Sequence, residues 1–332
     1  MSTPKYDVIA LGNAIVDVLG RADDAFLESH GLTKGGMALI DADQAEKLYG
    51  ELSDTVECSG GSAANTIAGL ASLGTNVAYS GKVAKDALGD SFRKDMQDMG
   101  VHFDTAADDG GKPTARCIIL VTPDAQRTMN TFLGACIDLT TDDVDVDMVK
   151  DSKVVYLEGY LWDPDHAKAA FRKAMTAAHE AGREVAFTLS DGFCVERHRE
   201  EFKALVEDEI DILFANEHEI MSLYQVETFD EALQQVQGKC KVAALTRSEK
   251  GAVIISKDEV HVIDAAPVDN VVDTTGAGDL YAAGFLYGYT QGKDLATCGK
   301  MGGVAAAEII SHFGARPEAN LADLFKKSFG DA

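Results

Sequence analysis

Short apolar or β-branched runs alternate along this chain with longer stretches of helical periodicity. Asp7–Leu11, Lys153–Leu157, Val185–Leu189, Ile212–Ala215, Val242–Thr246 and Ala252–Ser256 predict strands. Their near-continuous apolar character fits strands covered on both faces. Between them, Asn65–Leu73, His166–Ala181, Glu200–Glu207, Asp230–Gln237, Leu280–Thr290 and Leu295–His312 predict helices. That alternation implies an α/β fold with a parallel sheet and helices on both faces. Two segments break the pattern. Ile15 to Ile40 carries Gly31, Gly35 and Gly36 between short apolar pieces. Arg116–Val121 and Thr128–Phe132 read as a hairpin around Pro123-Asp124-Ala125-Gln126, which is turn chemistry. Together they predict a small β lid, about 14–40 and 105–135, on a single domain spanning 1–332. No Pro/Ser-rich linker separates the two, and there is no internal repeat.

Composition narrows the class. The 332 residues are 46% hydrophobic and 26% charged, with 31 Gly and 6 Pro, which excludes disordered and low-complexity chains. Thirty Lys and Arg against 55 Asp and Glu give a net charge of −25. Such a surface repels nucleic acid and anionic lipid, so neither is an expected partner. A pocket of backbone amides can still hold a phosphorylated ligand inside an acidic protein. The cysteines Cys58, Cys117, Cys136, Cys194, Cys240 and Cys298 lack metal-binding spacing and fit reduced thiols. No apolar run approaches the ~20 residues of a membrane-spanning helix. Met1–Tyr6 lacks a basic-then-apolar leader pattern, so a cytoplasmic location is expected.

The strongest chemical signal is Asp273-Thr274-Thr275-Gly276-Ala277-Gly278-Asp279, between the strand-like Val271-Val272 and a helix opening at Leu280. Gly276 and Gly278 let backbone approach a ligand closely. Consecutive amides at a helix N-terminus form an anion site. Asp279, in the first turn, can take a proton from a hydroxyl while those amides hold a phosphoryl group. The bland reading is a tight turn and a capping residue. No GxxxxGK[ST] and no dinucleotide-type GxGxxG follows the first strand.

This motif resembles the C-terminal signature of the ribokinase-like, or phosphofructokinase-B-type, family of carbohydrate and nucleoside kinases. Gly60-Gly61-Ser62-Ala63-Ala64-Asn65, continuing through Ala68, Leu73-Gly74 and Gly81-Lys82-Val83-Ala84-Lys85-Asp86 to Gly89, resembles its N-terminal signature. The similarity runs from about Asp7 to Pro317. It implies a three-layer α/β sandwich with a mostly parallel central sheet and a small β lid. It also implies an ATP-dependent kinase with Asp279 as catalytic base and the amides of Gly276, Ala277, Gly278 and Asp279 as anion hole. Asn216-Glu217-His218-Glu219 matches the family's N-x-x-E element, in which Asn216 and Glu219 organise Mg²⁺ through water; alone, it reads as a solvated helix start. Thr246-Arg247-Ser248-Glu249-Lys250-Gly251 matches a T-x-G-x-x-G nucleotide element, except that Ser248 stands where Gly is usual. Thr246, Ser248, Gly251 and Thr275 are thus expected at ATP. Arg127 resembles a family Arg that reaches over the phosphates, and equally reads as a solvated turn residue. K⁺ sensitivity is a further implication.

On the acceptor side, Gly12-Asn13-Ala14-Ile15-Val16-Asp17 places an amide and a carboxylate after the first strand. Such groups grip neighbouring sugar hydroxyls, though an Asx turn would use them too. By resemblance, Asp17 holds the sugar diol with Asn13, Gly61, Ser62 and Asn65 beside it. Met37, Leu39, Ile118, Leu133, Tyr160, Trp162 and Phe193 are candidate walls for a nucleobase. The spelling at Asn13–Asp17, Gly134-Ala135-Cys136 and Glu158-Gly159-Tyr160 is more similar to adenosine kinases than to ribokinases or fructokinases. Adenosine 5′-phosphorylation is therefore the leading expectation. A ribose, fructose or 2-keto-3-deoxygluconate kinase, an inosine or guanosine kinase, and a silent nucleoside-binding protein are the alternatives. Monomer and homodimer both stay open.

Overall fold

The computed structural model describes residues 3–124 and 126–330; Ala125 of the expected turn and the first two residues lie outside them. In chain order, the first elements are β1 (Tyr6–Leu11), β2 (Ile15–Arg21), α1 (Asp24–Ser29), β3 (Met37–Leu39), α2 (Ala42–Glu51), β4 (Val56–Gly60) and α3 (Ser62–Ser72). Next come β5 (Val77–Ser80), α4 (Ala87–Asp98), β6 (Ala115–Val121), β7 (Arg127–Phe132), α5 (Val146–Lys150) and β8 (Ser152–Glu158). The middle of the chain supplies α6 (Asp165–Glu180), β9 (Glu184–Thr188), α7 (Gly192–Asp208), β10 (Ile212–Asn216), α8 (Glu217–Tyr224) and α9 (Phe229–Val236). It closes with β11 (Val242–Thr246), β12 (Ala252–Ser256), β13 (Val260–Ile263), α10 (Ala277–Thr290), α11 (Leu295–Ile309) and α12 (Leu321–Phe329).

Among the described residues, an eight-stranded sheet runs β13-β12-β11-β10-β9-β8-β1-β5. It is parallel from β5 to β11 and antiparallel at β12 and β13. Apolar clusters lie on both faces: one gathers α3, α10 and α11, the other α6, α7 and α8. This arrangement explains why the strand runs are apolar at successive positions rather than alternating. A five-stranded second sheet runs β3-β7-β6-β2-β4. Its outer face packs Ile118 and Leu120 against Leu27 of α1 and Leu48 of α2. The second sheet takes in Val56–Gly60, beyond the segments expected to form it.

Several boundaries differ from expectation for local reasons. Val271 and Val272 are not a strand; they are exposed, and Val272 only donates to Ile310 O at 2.8 Å. Helix α10 opens at Ala277, not Leu280, because Gly276 turns the chain in the left-handed region at φ 76°. Helix α7 opens at Gly192 because Asp191 caps it, accepting from Cys194 N at 2.7 Å, and it kinks at His198. Its first turns hold Gly, Cys and Val, poor helix formers that hid it from the pattern. Trp162 and Ile118, considered as nucleobase walls, are instead fully buried core. Trp162 packs edge-on against Phe187 and Phe202 and donates Nε1–H to Glu201 Oε2 at 2.9 Å. The six cysteines are free thiols. Among the described residues, no helix is long and apolar enough to cross a membrane.

Replacing Trp162 by Ala empties that aromatic cluster. The expected cost is about 3–5 kcal/mol, read as a lower urea midpoint in equilibrium unfolding.

Candidate active site

The carboxyl ends of the parallel strands gather the polar residues, the side where open α/β sheets bind ligands. Asp279 is the third residue of α10 and half-buried. Ser62 Oγ donates to its Oδ1 at 2.6 Å, and Asn65 Nδ2 donates to Oδ2 at 3.0 Å. Both donors come from the first turn of α3. Burial pushes the Asp279 carboxyl up from its ordinary value, while these two hydrogen bonds and Arg316 pull it down. The first α10 bond runs from Leu280 N to Gly276 O at 2.8 Å. The amides of Gly278 and Asp279 therefore have no helical partner and face outward with the helix dipole behind them. Ala277 differs from the expected anion hole: its amide donates to Thr274 O at 3.2 Å.

A buried carboxylate ties β1 to α3. Glu158, fully buried at the end of β8, accepts from Asn13 N through Oε1 and from Ala63 N through Oε2, each at 2.7 Å. Burial raises its carboxyl to about 7, against the pull of those two amides. Gly61, between Gly60 and α3, has φ 96°, and a Cβ there would lie 2.2 Å from Asn13 O. Only glycine permits this close approach. The Oδ1 atoms of Asn13 and Asn65 are buried without a partner. Buried orphan acceptors are costly, and donor hydroxyls of a ligand would satisfy them.

Strand register places Asp17 on the inner face of the second sheet. Asp17 pairs with Cys58 on one side and Cys117 on the other, Cys117 pairs with Thr131, and Thr131 with Leu39. Directly paired residues share a face, so Leu19, Ile119, Met129, Met37 and Leu39 present an apolar surface on Asp17's side. Met37 and Leu39 are 51% and 65% exposed on edge strand β3. Burial raises the Asp17 carboxyl to about 6; Arg316 and then Arg127 lower it, and Asp279 raises it. Leu133, half-buried, follows β7. Tyr160 and Phe193 are exposed beyond β8 and β9. Partial burial, with the charges of Asp191, Asp279 and Glu219, pushes the Tyr160 hydroxyl up.

Arg127 is not a solvated turn residue. Its buried guanidinium pairs with Asp273 and donates to Thr275 Oγ1 at 3.1 Å, so the second sheet is latched onto the loop that leads into α10. Arg127 Nε and Nη2 are buried without partners. Asp273 also accepts from Gly314 N at 3.0 Å and from Thr275 N at 3.1 Å.

Among the residues expected at the nucleotide, Asn216 and Thr246 are register partners at the ends of β10 and β11. Asn216 and Glu219 form a reciprocal capping box. Asn216 Oδ1 accepts from Glu219 N at 2.9 Å, and Glu219 accepts from Asn216 N at 2.9 Å and Nδ2 at 2.5 Å. This is the helix start that the tetrapeptide suggests on its own, yet Glu219 is buried and burial raises its carboxyl to about 7. A single buried carboxylate beside an amide suits a hydrated Mg²⁺, which binds through few carboxylates and keeps its waters. Ser248 adopts φ 51°, the left-handed conformation for which glycine is the usual choice, and Gly251 follows at φ 80°. Arg247 pairs with Glu217 at 3.3 Å and lies 4.4 Å over the Phe229 ring.

Arg316 and Glu158 carry much of this geometry and were not assigned roles from the sequence. A lone Glu ending the apolar run Val154–Leu157 was a usable signal. Arg316 offered none, because its partners come from distant segments.

The crystal structure of adenosine kinase from Sinorhizobium meliloti is 53% identical, covers 98% of this chain and 99% of its own, and superposes with a TM-score of 0.90. A probable sugar kinase protein from Rhizobium etli CFN 42 is 50% identical with the same coverage and a TM-score of 0.90. Adenosine kinase of Saccharomyces cerevisiae is 28% identical over 92% of this chain and 95% of that protein. The fold is accordingly ribokinase-like, and the chain is an ATP-dependent kinase. A family model described as pfkB family carbohydrate kinase matches residues 26–321, and the chain belongs to that family.

Proposed function

We propose that this kinase transfers the γ-phosphoryl group of ATP to the 5′-hydroxyl of adenosine, giving AMP. The observation that carries this reading is the inner face of the second sheet. It sets the diol-gripping Asp17 beside the apolar side chains Leu19, Ile119, Met129, Met37 and Leu39, which suit a flat nucleobase. Leu133, Tyr160 and Phe193 complete the wall. Asp17 accepts from the ribose diol, and the orphan acceptors of Asn13 and Asn65 take further hydroxyl protons. Gly61 lets the chain pass close beneath the sugar.

Asp279, held by Ser62 and Asn65, accepts the proton of the 5′-hydroxyl. The freed oxygen attacks the γ-phosphorus in line, the bond from that phosphorus to the bridging oxygen breaks, and ADP leaves. The amides of Gly278 and Asp279, in the turn shaped by Gly276 and Ala277, hold the transferred group. Arg127, with two unpartnered guanidinium nitrogens, supplies positive charge from the second sheet, which acts as a lid that excludes water. Thr246, Ser248, Gly251 and Thr275 line the nucleotide. Asn216 and Glu219 would hold the Mg²⁺ of MgATP through water, and that ion would neutralise phosphate charge. K⁺ activation belongs to this reading.

A second reading, a free-sugar kinase, is favoured by the exposure of Met37 and Leu39, which leaves one edge of the apolar wall open. ADP release from MgATP with adenosine, inosine, guanosine, ribose, fructose or 2-keto-3-deoxygluconate separates the two, with K⁺ and Na⁺ arms. Adenosine is expected to lead in kcat/KM by about 10²-fold or more; a free sugar in first place sinks the nucleoside reading. Asp279→Asn should lower kcat by about 10²–10⁴-fold, while calorimetric affinity for adenosine stays close to wild type. Asp17 must be ionised to accept from both hydroxyls, and its carboxyl titrates at about 6. The KM for adenosine should therefore rise as pH falls below that value and stay flat above it; a KM level through the acid range would remove Asp17 from the acceptor site.

A further inference from the structure

Arg316 lies in the segment between α11 and α12, outside every motif that identifies the site. Its guanidinium nonetheless reaches into the centre of the molecule. Nη1 donates to Ala64 O at 3.0 Å, and Nη2 donates to Ser59 Oγ at 2.8 Å. Ala64 sits in the α3 turn between Ser62 and Asn65, the two donors to Asp279. Ser59 is the penultimate residue of β4, immediately before Gly60, and Gly60 lies so close beneath Asp17 that a Cβ there would fall 2.4 Å from Asp17 Oδ2. The same segment rests on the anion loop. Gly314 N donates to Asp273 Oδ2 at 3.0 Å, and a Cβ on Gly276 would come within 2.9 Å of Ala315 Cβ.

We propose that Arg316 is a positioning residue for phosphoryl transfer: one guanidinium fixes the strand beneath Asp17 to the helix turn that holds Asp279, and sets the charge balance between these carboxylates. The proposal rests on the roles given above to Asp17 and Asp279. Two carboxylates must face one ligand, one to grip it and one to deprotonate it. Burial raises the proton affinity of both, and the charge of Asp279 adds to the effect at Asp17. The groups facing Arg316 are Asp17 from β2, Cys58 from β4, Asp95 from α4 and Asp279 from α10. Arg127 of β7 adds a second positive charge near Asp17. Ser59 is steadied from behind, since its N and Oγ both donate to Asp95 Oδ2, at 2.8 and 2.5 Å. Arg316 lowers the proton affinity of both Asp17 and Asp279. A planar fork suits this task because it bonds two acceptors on different elements at once, which an ammonium on a flexible stem does poorly.

The test compares Arg316→Met and Arg316→Lys with wild type, reading kcat and KM across the acid limb of the pH profile. Met removes the charge and both bonds, so the acid limb should move to higher pH by about one unit. At neutral pH, kcat/KM should fall about tenfold or more through misplacement of the reacting groups. Lys keeps the charge and loses the fork; its limb should stay near the wild-type position while kcat remains depressed. A purely structural role would lower the yield or the melting temperature and leave the limb of the surviving enzyme in place. If the Met variant does not fold, the Lys variant still tests the fork through its kcat. Wild-type kcat and acid limb in every folded variant would overturn the proposal. Asp279→Asn, assayed alongside, separates this from the underlying reading. Full turnover in that variant overturns the assignment of the base, whereas an inactive Asp279→Asn beside unaltered Arg316 variants overturns the part given to Arg316 alone.

Discussion

Much of the site hangs on one buried carboxylate that has no cation beside it. Glu158 ends β8 with both oxygens committed to backbone amides, one at the exit of β1 and one at the start of α3. Burying such a group is expensive unless its lone pairs are filled, and charge-assisted bonds to N–H groups are the stronger kind. The geometry leaves little slack. Gly12 has no room for a Cβ, which would lie 2.8 Å from the Glu158 carboxyl. From that anchor the rest follows in order. Asn13 is fixed, α3 begins where it must, and Ser62 and Asn65 arrive at Asp279.

Charge is arranged by the same economy. The chain carries −25 overall, yet the structure collects Arg127 and Arg316 at its centre, among Asp17, Asp273 and Asp279. A surface with a large net negative charge selects against polyanions by long-range repulsion. Small phosphates remain admissible, because local N–H groups and guanidinium donors act at short range where solvent is thin.

The main sheet was legible because its strands are buried on both faces and spell continuous apolar runs. The motif at Asp273–Asp279 was legible because phosphate chemistry calls for glycines and a carboxylate at short spacing, and Gly60–Asn65 was legible by its resemblance to a family signature. What escaped was built from distant pairs. The latch of Arg127 on Asp273 joins a hairpin to a loop near the other end of the chain, and nothing in either segment marks the other. Val271-Val272 looked like a strand because β-branched pairs usually are, but exposed residues beside the anion loop have no sheet to join. Trp162 and Ile118 looked like walls because periodicity cannot tell an apolar residue facing a ligand from one facing a helix. Register resolved that question for the second sheet: Ile118 and Ile119 are neighbours in sequence and point to opposite faces.

The interleaving of the two sheets constrains how the protein can be made. The chain leaves the main sheet after β1, returns for β5, leaves again for β6 and β7, and returns at β8. Strand β2 is flanked in space by β4 and β6, so Asp17 acquires its second neighbour only after residues well past β5 have been synthesised. On the ribosome the second sheet must wait, with β2 and β4 forming an incomplete ribbon. The main sheet waits too, since β1 lies between β5 and the much later β8. Pairings of such long sequence separation carry a loop-closure cost before any packing rewards them. Both sheets should therefore consolidate late and nearly together, once β8 has emerged, leaving the amino-terminal third exposed to chaperones during synthesis.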